Sequence, residues 1–234
     1  AIHGLVRYEL FRVAETKEAD ESGMVALLCR TLRPGIFEGY EFSVDVKVTF
    51  TLCERALFLK IEGTNVGKGA APFGCGWHPY FKTSDKGIEH LRLTVPAQNA
   101  VITDERMLPI AGKSAFCSLG RSPEIDFRPN RPSNGNVIGN RKLDQCYHAL
   151  ITDENGYSHT LLEDPENGVR IRVSQKGGLM HVYTGDTLPA RSRKSIALEP
   201  VELMTNAFNR PACAGHTRLE PAETRGFDFG VNVE

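Results

Sequence analysis

Residues 41–66, EFSVDVKVTFTLCERALFLKIEGTNV, contain the clearest structural pattern of this chain. From Phe42 to Leu52 every second residue is apolar, and the residues between them are polar or charged. A period of two is that of a β-strand with one buried and one solvated face. A second apolar run starts at Ala56, after the short break at 53–55, so the whole stretch predicts a β-hairpin.

Several other short stretches have the composition of β-strands. Gly, Pro and Asn turns separate them, and no segment shows a sustained apolar period of 3.6 residues with a helix cap. This organisation is typical of an antiparallel β-sandwich or barrel, so the sequence predicts an all-β fold. The predicted strands cover residues 91–95, 146–151, 169–173, 179–184, 195–200 and 227–233.

Two segments lack a strand pattern. Residues 15–23, ETKEADESG, are charged without an apolar stripe and are predicted to form a solvated loop. Residues 103–142 are rich in turn residues, and in a sandwich such a segment typically covers one end of the sheets. No internal repeat or domain boundary is visible, so residues 1–234 are predicted to form a single domain.

The composition argues against several classes of function. The chain has 41% hydrophobic and 24% charged residues, which suffices for a full core. Its formal charge is -1 with acids and bases mixed, so nucleic acid is not an expected partner. No window of 18 apolar residues exists, so no membrane span is expected. The cysteines lack C-x-x-C spacing, which argues against zinc and thioredoxin sites and favours a reducing, cytoplasmic location.

The common motifs for phosphate loops, hydrolase serines and metal sites are missing from the sequence. It has no G-x-x-x-x-G-K-[ST], no G-x-S-x-G and no H-E-x-x-H, so neither a cofactor nor a metal is predicted. What remains is a set of polar residues in loops and at strand ends. They are His3, His78, Asp144 and Glu199.

These residues also have structural interpretations. His78 lies in GCGWHPYFKT, residues 74–83, where a histidine among aromatic residues can simply pack in a core. Asp144 can be a turn residue. Glu199 ends the apolar stretch SIALEP and precedes a proline, which cannot continue a central strand. A carboxylate in that position suits either catalysis or an ion pair, and the residues alone leave both open.

Five segments, taken together, resemble the aldose 1-epimerase (galactose mutarotase) family. They follow the family's order and rough spacing over almost the whole chain, and Ala222 departs from the family by standing where Gly is usual. The segments are HGLVR (3–7), PFGCGWHPYF (72–81), LDQCYHAL (143–150), SIALEPVELMTNAFNRP (195–211) and LEPAETRGFDFGV (219–231).

The resemblance implies a fold and a set of roles. The fold is a large antiparallel β-sandwich, with the sugar in a cleft on one concave sheet. Glu199 matches the base that takes the proton from the anomeric hydroxyl, and His78 matches the acid that protonates the ring oxygen. Asp144 and His3 match residues that hold sugar hydroxyls, and Arg7 belongs to the same H-G-x-x-R segment as His3.

Aromatic residues beside His78 have two interpretations. Trp77, Tyr80 and Phe81 can offer an apolar face to the C–H surface of a sugar, pack in the core, or do both. The reaction implied by the resemblance is interconversion of the α and β anomers of an aldose, by general acid-base opening and reclosure of the ring. The expected substrate is a monosaccharide such as galactose or glucose, and the expected assembly is a monomer or a homodimer.

Two alternatives compete with a mutarotase. A carbohydrate-binding β-sandwich without catalysis would share the fold. A hexose-6-phosphate 1-epimerase would need a cluster of basic side chains for the phosphate. The available arginines are Arg7, Arg121, Arg128, Arg131 and Arg141.

The start of the chain departs from the family pattern. Family members usually carry several dozen residues before the H-G segment, whereas only two residues precede it here. The expectation is therefore a sandwich that lacks its N-terminal strands. Such a sandwich would expose an apolar sheet edge.

Overall fold

A computed structural model describes residues 3–20, 23–131 and 135–234. Strands dominate these ranges, and no described helix is long and apolar enough to cross a membrane. The helical segments are short 3₁₀ turns at Gly112–Ala115, Leu119–Arg121, Ala207–Asn209 and Pro211–His216. The strands are β1 (Arg12–Asp20), β2 (Gly23–Leu32), β3 (Val44–Leu52), β4 (Ala56–Asn65), β5 (Ala71–Pro72), β6 (Tyr80–Phe81), β7 (Arg92–Thr94), β8 (Ala97–Val101), β9 (Phe116–Ser118), β10 (Asp144–Leu150), β11 (Tyr157–Glu163), β12 (Arg170–Lys176), β13 (Leu179–Tyr183), β14 (Ile196–Val201), β15 (Arg218–Leu219) and β16 (Thr224–Val233).

Two large antiparallel sheets form the molecule. The eight-stranded sheet has the order β1-β2-β3-β4-β16-β12-β11-β7, and the six-stranded sheet has the order β6-β14-β13-β10-β8-β9. A small third sheet joins β15 to β5. The predicted hairpin is confirmed, because β3 and β4 pair from Leu52 with Leu57 to Val44 with Asn65. The all-β antiparallel sandwich is therefore confirmed as the fold class.

The main core lies between the two large sheets. Leu198 on β14 and Val182 on β13 have no exposed surface, and both belong to one cluster with Leu93 and Leu162 of the other sheet. Burial of one such side chain stabilises the fold by about 1.5–3 kcal/mol. Because strand side chains alternate between faces, the residues next to these core positions project from the opposite face of the six-stranded sheet.

The predicted loop at 15–23 is wrong for its larger part. β1 extends to Asp20 and β2 begins at Gly23, and the two strands pair with each other. β1 is the edge strand of its sheet, and its residues 12–18 are exposed on both faces, so no apolar stripe is required. An ion pair between Lys17 and Glu15, with 3.8 Å between Nζ and Oε1, lies on its surface. Residues 21 and 22 lie outside the described residues.

The surface of edge strand β1 can be compared with the expectation of an exposed apolar sheet edge. Glu15 and Lys17 are exposed on this strand, and charged side chains are a common means of preventing edge-to-edge pairing. Val13 on the same strand is also exposed, so β1 presents both charged and apolar side chains at this edge. The turn-rich segment 103–142 contributes more than a cover, since its strand β9 pairs with β8 at one edge of the six-stranded sheet.

Candidate active site

His78 and Glu199 are brought together by backbone register. Tyr80 of β6 pairs with Ala197 of β14, and Gly76 forms a bridge with Val201 further along β14. The same antiparallel register, continued between these two contacts, places His78 opposite Glu199. Opposite residues of an antiparallel pair project from one face, so the two side chains meet there.

The contact between the two side chains is close and shielded from solvent. His78 Nε2 lies 3.2 Å from Glu199 Oε1, and the two side chains are 27% and 9% exposed. Burial is the main cause that lowers the pKa of His78 to about 4, and the charge of His3 lowers it further. Burial also raises the pKa of Glu199 to about 7. The pair can therefore exchange a proton near neutral pH, as general acid-base catalysis requires.

His181 completes the site and was missed by the sequence analysis. It lies opposite Glu199 in the β13–β14 pairing and opposite Cys146 in the β10–β13 pairing. Its Nε2 is 2.9 Å from Oδ1 of Asp144. A signal was present in the sequence, because His181 is the one histidine within the otherwise apolar and aromatic stretch LMHVY. Its alternation with Met180 and Val182 places it on the face opposite the core.

The charge state of His181 follows from its neighbours. Burial alone would lower the pKa of His181, but hydrogen bonds with Asp144 and Cys146 and the charge of Glu199 raise it to about 10. The hydrogen bond from His181 is the main cause that holds the pKa of Asp144 below its usual value. At neutral pH an imidazolium and a carboxylate thus lie beside Glu199. The positive charge of His181 favours the ionised form of Glu199.

The N-terminal segment brings two more predicted residues to the same place. The ring of His3 meets the ring of His78 edge-on with 5.0 Å between centroids. Arg7 is close enough for its charge to lower the pKa values of both histidines. His3 has a φ of 63°, a left-handed conformation that is uncommon outside glycine. Such an outlier is typical of a functional segment that the surrounding structure holds in place.

The two aromatic residues next to His78 have different positions. Tyr80 is 42% exposed and its ring stacks on that of His78 with 5.1 Å between centroids. Trp77 alternates to the opposite face, where it stacks on Phe229 at 5.7 Å. Tyr80 therefore lies at the site, whereas Trp77 takes the core-packing position that the sequence left open. Of the predicted sugar contacts, Trp77 is the one that the structure does not bring to this face.

Most of the arginines considered for a phosphate site have other partners. Arg128 and Arg131 both bind the buried carboxylate of Asp126, with Nη2 of Arg128 2.9 Å and Nη1 of Arg131 2.6 Å from Oδ2. The guanidinium of Arg141 lies over the ring of Phe127 at 4.5 Å and donates to a backbone carbonyl. These contacts give the three arginines a structural role within their own segment.

Two further features of the described residues are a surface groove and the distribution of side chains that could bind a metal ion. A groove of about 520 Å³ crosses the eight-stranded sheet, lined by residues such as Phe58, Tyr157 and Asp228, and contains none of the predicted site residues. Over residues 3–20, 23–131 and 135–234, no group of three or more His, Cys, Asp or Glu side chains is arranged to hold a metal ion.

The chain is similar in sequence to known proteins over most of its length. The sequence model of the family described as "Aldose 1-epimerase" matches residues 1–229. The chain is 25% identical over 210 residues to "Uncharacterized protein YihR" of Escherichia coli (strain K12), covering 89% of this chain. It is 25% identical over 195 residues to "Uncharacterized protein YphB" of the same organism, covering 81% of this chain. The alignments span 60% of the length of each of these two curated relatives.

Solved structures with little sequence identity share the fold. A galactose mutarotase-like protein from Clostridium acetobutylicum superposes with a TM-score of 0.80 at 15% identity, covering 100% of this chain and 69% of that chain. A GalM/aldose epimerase homologue from C. elegans gives a TM-score of 0.77 at 15% identity, covering 97% of this chain and 69% of that chain. At such low identity these similarities concern the fold alone.

Proposed function

This chain belongs to the aldose 1-epimerase family, and we propose that it interconverts the α and β anomers of an aldose without a cofactor. The observation that carries the proposal is the contact of 3.2 Å between His78 Nε2 and Glu199 Oε1. An acid and a base at this separation can serve two oxygens of one sugar, the anomeric hydroxyl O1 and the ring oxygen O5. A module that only binds sugar would have no need of such a pair.

The proposed reaction uses both groups in one proton exchange. Glu199 takes the proton from the anomeric hydroxyl O1, and His78 gives a proton to the ring oxygen O5. The bond between C1 and O5 breaks, and the sugar opens to its aldehyde. Rotation about the C1–C2 bond presents the other face of the aldehyde, and the two groups reverse their roles as the ring closes. Each group contributes typically about 10²- to 10⁴-fold to such a rate.

The protonation state of the pair decides whether this exchange can start. For the proposed reaction to start, the pair must carry a single proton: His78 is protonated and Glu199 is ionised. Burial disfavours the charged forms of both groups, so in the empty site the shared proton lies on Glu199. The proposed substrate brings hydroxyl groups that stabilise the charged arrangement, and the imidazolium of His181 favours the carboxylate of Glu199.

The other residues of this face are proposed to hold the sugar. Asp144, which His181 holds in place, accepts hydrogen bonds from sugar hydroxyls. His3 and Arg7 contribute further polar groups to the same face. Tyr80 offers an exposed ring beside His78 for the C–H surface of the sugar. Residues 1–234 are proposed to act as one domain.

Polarimetry tests this proposal directly. Freshly dissolved α-D-glucose and α-D-galactose should reach their equilibrium rotation faster with the protein than without it. The folded state of each sample is checked by circular dichroism. A folded protein that accelerates no aldose contradicts the proposal.

A further inference from the structure

Glu202 makes three contacts with one residue of the segment that carries His78. Its backbone N–H donates to the carbonyl of Cys75 at 2.8 Å. Its Oε2 accepts from the backbone N–H of Cys75 at 3.1 Å and from the thiol at 3.6 Å. The Cys75–Glu202 pair stands next to the bridge between Gly76 and Val201. It therefore extends the register that sets His78 opposite Glu199.

Arg225 of β16 holds the other oxygen of this carboxylate. Its Nε donates to Oε1 of Glu202, and its Nη2 donates to the carbonyl of Phe73 at 2.8 Å. The two side chains are 23% and 14% exposed. Removing one partner of an ion pair that is this well shielded from solvent destabilises the protein, because the other charge is left without a partner. Arg225 belongs to the eight-stranded sheet and Glu202 follows β14, so the contact ties both large sheets to the segment before His78.

Close packing leaves this segment little freedom. A Cβ atom added at Gly74 would lie 2.3 Å from Cδ1 of Leu203, and one added at Gly76 would lie 2.9 Å from the carbonyl of Pro200. Burial raises the pKa of the Cys75 thiol, and the charge of Glu202 raises it further. The thiol therefore stays protonated at neutral pH and keeps donating to the carboxylate.

We propose that Glu202 is a positioning residue: its carboxylate, held by Arg225, fixes residues 75–78 against β14 and thereby sets the separation of His78 Nε2 from Glu199 Oε1. This inference rests on the proposed function, in which those two side chains act on one sugar. Glu202 acts through His78 and touches neither O1 nor O5. Its loss should impair the chemical step more than sugar binding, because Asp144 and His181 are held by contacts of their own.

Kinetics of two variants test the role of the carboxylate. Glu202→Ala removes the contacts of the carboxylate with Cys75 and Arg225, and Glu202→Gln keeps an acceptor but loses the charge that Arg225 binds. A misplacement of about 1 Å typically costs about 10²-fold in rate. We expect kcat to fall by about that factor in Glu202→Ala and by less in Glu202→Gln, with KM within about twofold of wild type. Glu124→Ala, on an exposed turn, is the control.

An NMR titration of the His78 ring provides a readout that needs no activity. In the folded protein burial holds the pKa of His78 to about 4. Release of the segment in Glu202→Ala should expose the ring and move that pKa towards about 6.5. If Glu202→Ala does not fold, Glu202→Gln and Cys75→Ala are titrated in its place.

The outcomes separate this inference from the proposed function. A raised pKa of His78, with a fall in kcat and a stable KM, supports the positioning role. An unchanged titration and unchanged kcat, with only a lower melting temperature, overturn it and leave Glu202 a structural residue. A wild-type protein that accelerates no aldose refutes the proposed function, whereas the titration still decides whether Glu202 positions His78.

Discussion

His78 and Glu199 face each other across one antiparallel register, although only part of the segment before β6 is a regular strand. The bridge between Gly76 and Val201 fixes the register on one side of the pair, and the pairing of Tyr80 with Ala197 fixes it on the other. Pro79, which has no N–H to donate, lies within the interrupted part. The proposed chemistry therefore depends on backbone register as much as on two side chains.

The first prediction concerns the proposed base. Glu199→Gln keeps the shape of the side chain but removes its ability to take a proton, so kcat should fall by about 10²- to 10⁴-fold. Polarimetry, corrected for the spontaneous rate, measures this loss. Sugar affinity by calorimetry should stay within about threefold. Rates near those of wild type would refute the assignment of Glu199.

The second prediction is a bell-shaped pH profile. The reactive pair holds one proton, and coupled groups titrate as a pair. The pKa of Glu199, about 7, marks the loss of that proton, so kcat/KM should fall by about tenfold per pH unit above it. The pKa of His78, about 4, marks the gain of a second proton and the acid limb. A rate that rises through pH 7 to a plateau would mean that His78 acts without a proton of its own.

The fold was largely predictable, because a buried face imposes a period of two on every strand that covers it. The β3–β4 hairpin shows this. The predicted strand at 195–200, which the structure places at Ile196–Val201, was instead recognisable from its apolar run, because residues on both of its faces are buried. Edge strand β1 was not predictable in this way, because neither of its faces has to be apolar. His181 was missed for a related reason. Its role depends on which strands are neighbours, and the order β14-β13-β10 is a property of the whole sheet.

The third prediction concerns His181. His181→Gln removes the charge that holds Asp144, and a hydrogen bond to a charged group is worth about 1.5–3 kcal/mol. KM should therefore rise by about tenfold or more. Because His181 also lowers the pKa of Glu199, the alkaline limb of the profile should move to higher pH. His159→Gln is the matched control. His159 forms the same kind of contact, with 3.0 Å between its Nε2 and Oδ2 of Asp153, but lies outside this site. Equal effects of the two variants would contradict the prediction.

The fourth prediction tests the backbone register. In Gly76→Ala the new Cβ would lie 2.9 Å from both the carbonyl oxygen of Pro200 and Cγ1 of Val201, so the segment before His78 must shift. A shift of about 1 Å should lower kcat by about 10²-fold. Gly69→Ala is the control, because nothing lies within 4 Å of its added Cβ. Equal kcat in the two variants would show that the register does not limit the reaction.

The last prediction separates a structural from a phosphate-binding role for the arginines around Asp126. Burial alone would raise the pKa of Asp126, but hydrogen bonds from Arg128 and Arg131 hold it below its usual value. Such a carboxylate stabilises the fold above its unfolded pKa of about 3.9 and loses that effect as the pH falls. Breaking a buried pair from one side costs about 3–5 kcal/mol, so Asp126→Asn should melt well below wild type at pH 7, and the difference should shrink on acidification.

The same variant reports on substrate choice. If Arg128 and Arg131 only neutralise Asp126, the ratio of kcat/KM for glucose to that for glucose 6-phosphate should be the same in Asp126→Asn and wild type, measured below the melting temperature of both. Asp104→Asn, in an exposed turn where Oδ1 accepts from two backbone N–H groups, is the control for a change of charge. If Asp126→Asn keeps its melting temperature but changes that ratio, the two arginines bind the phosphate of the substrate instead. Without Asp126 as a partner, their interaction with that phosphate would change.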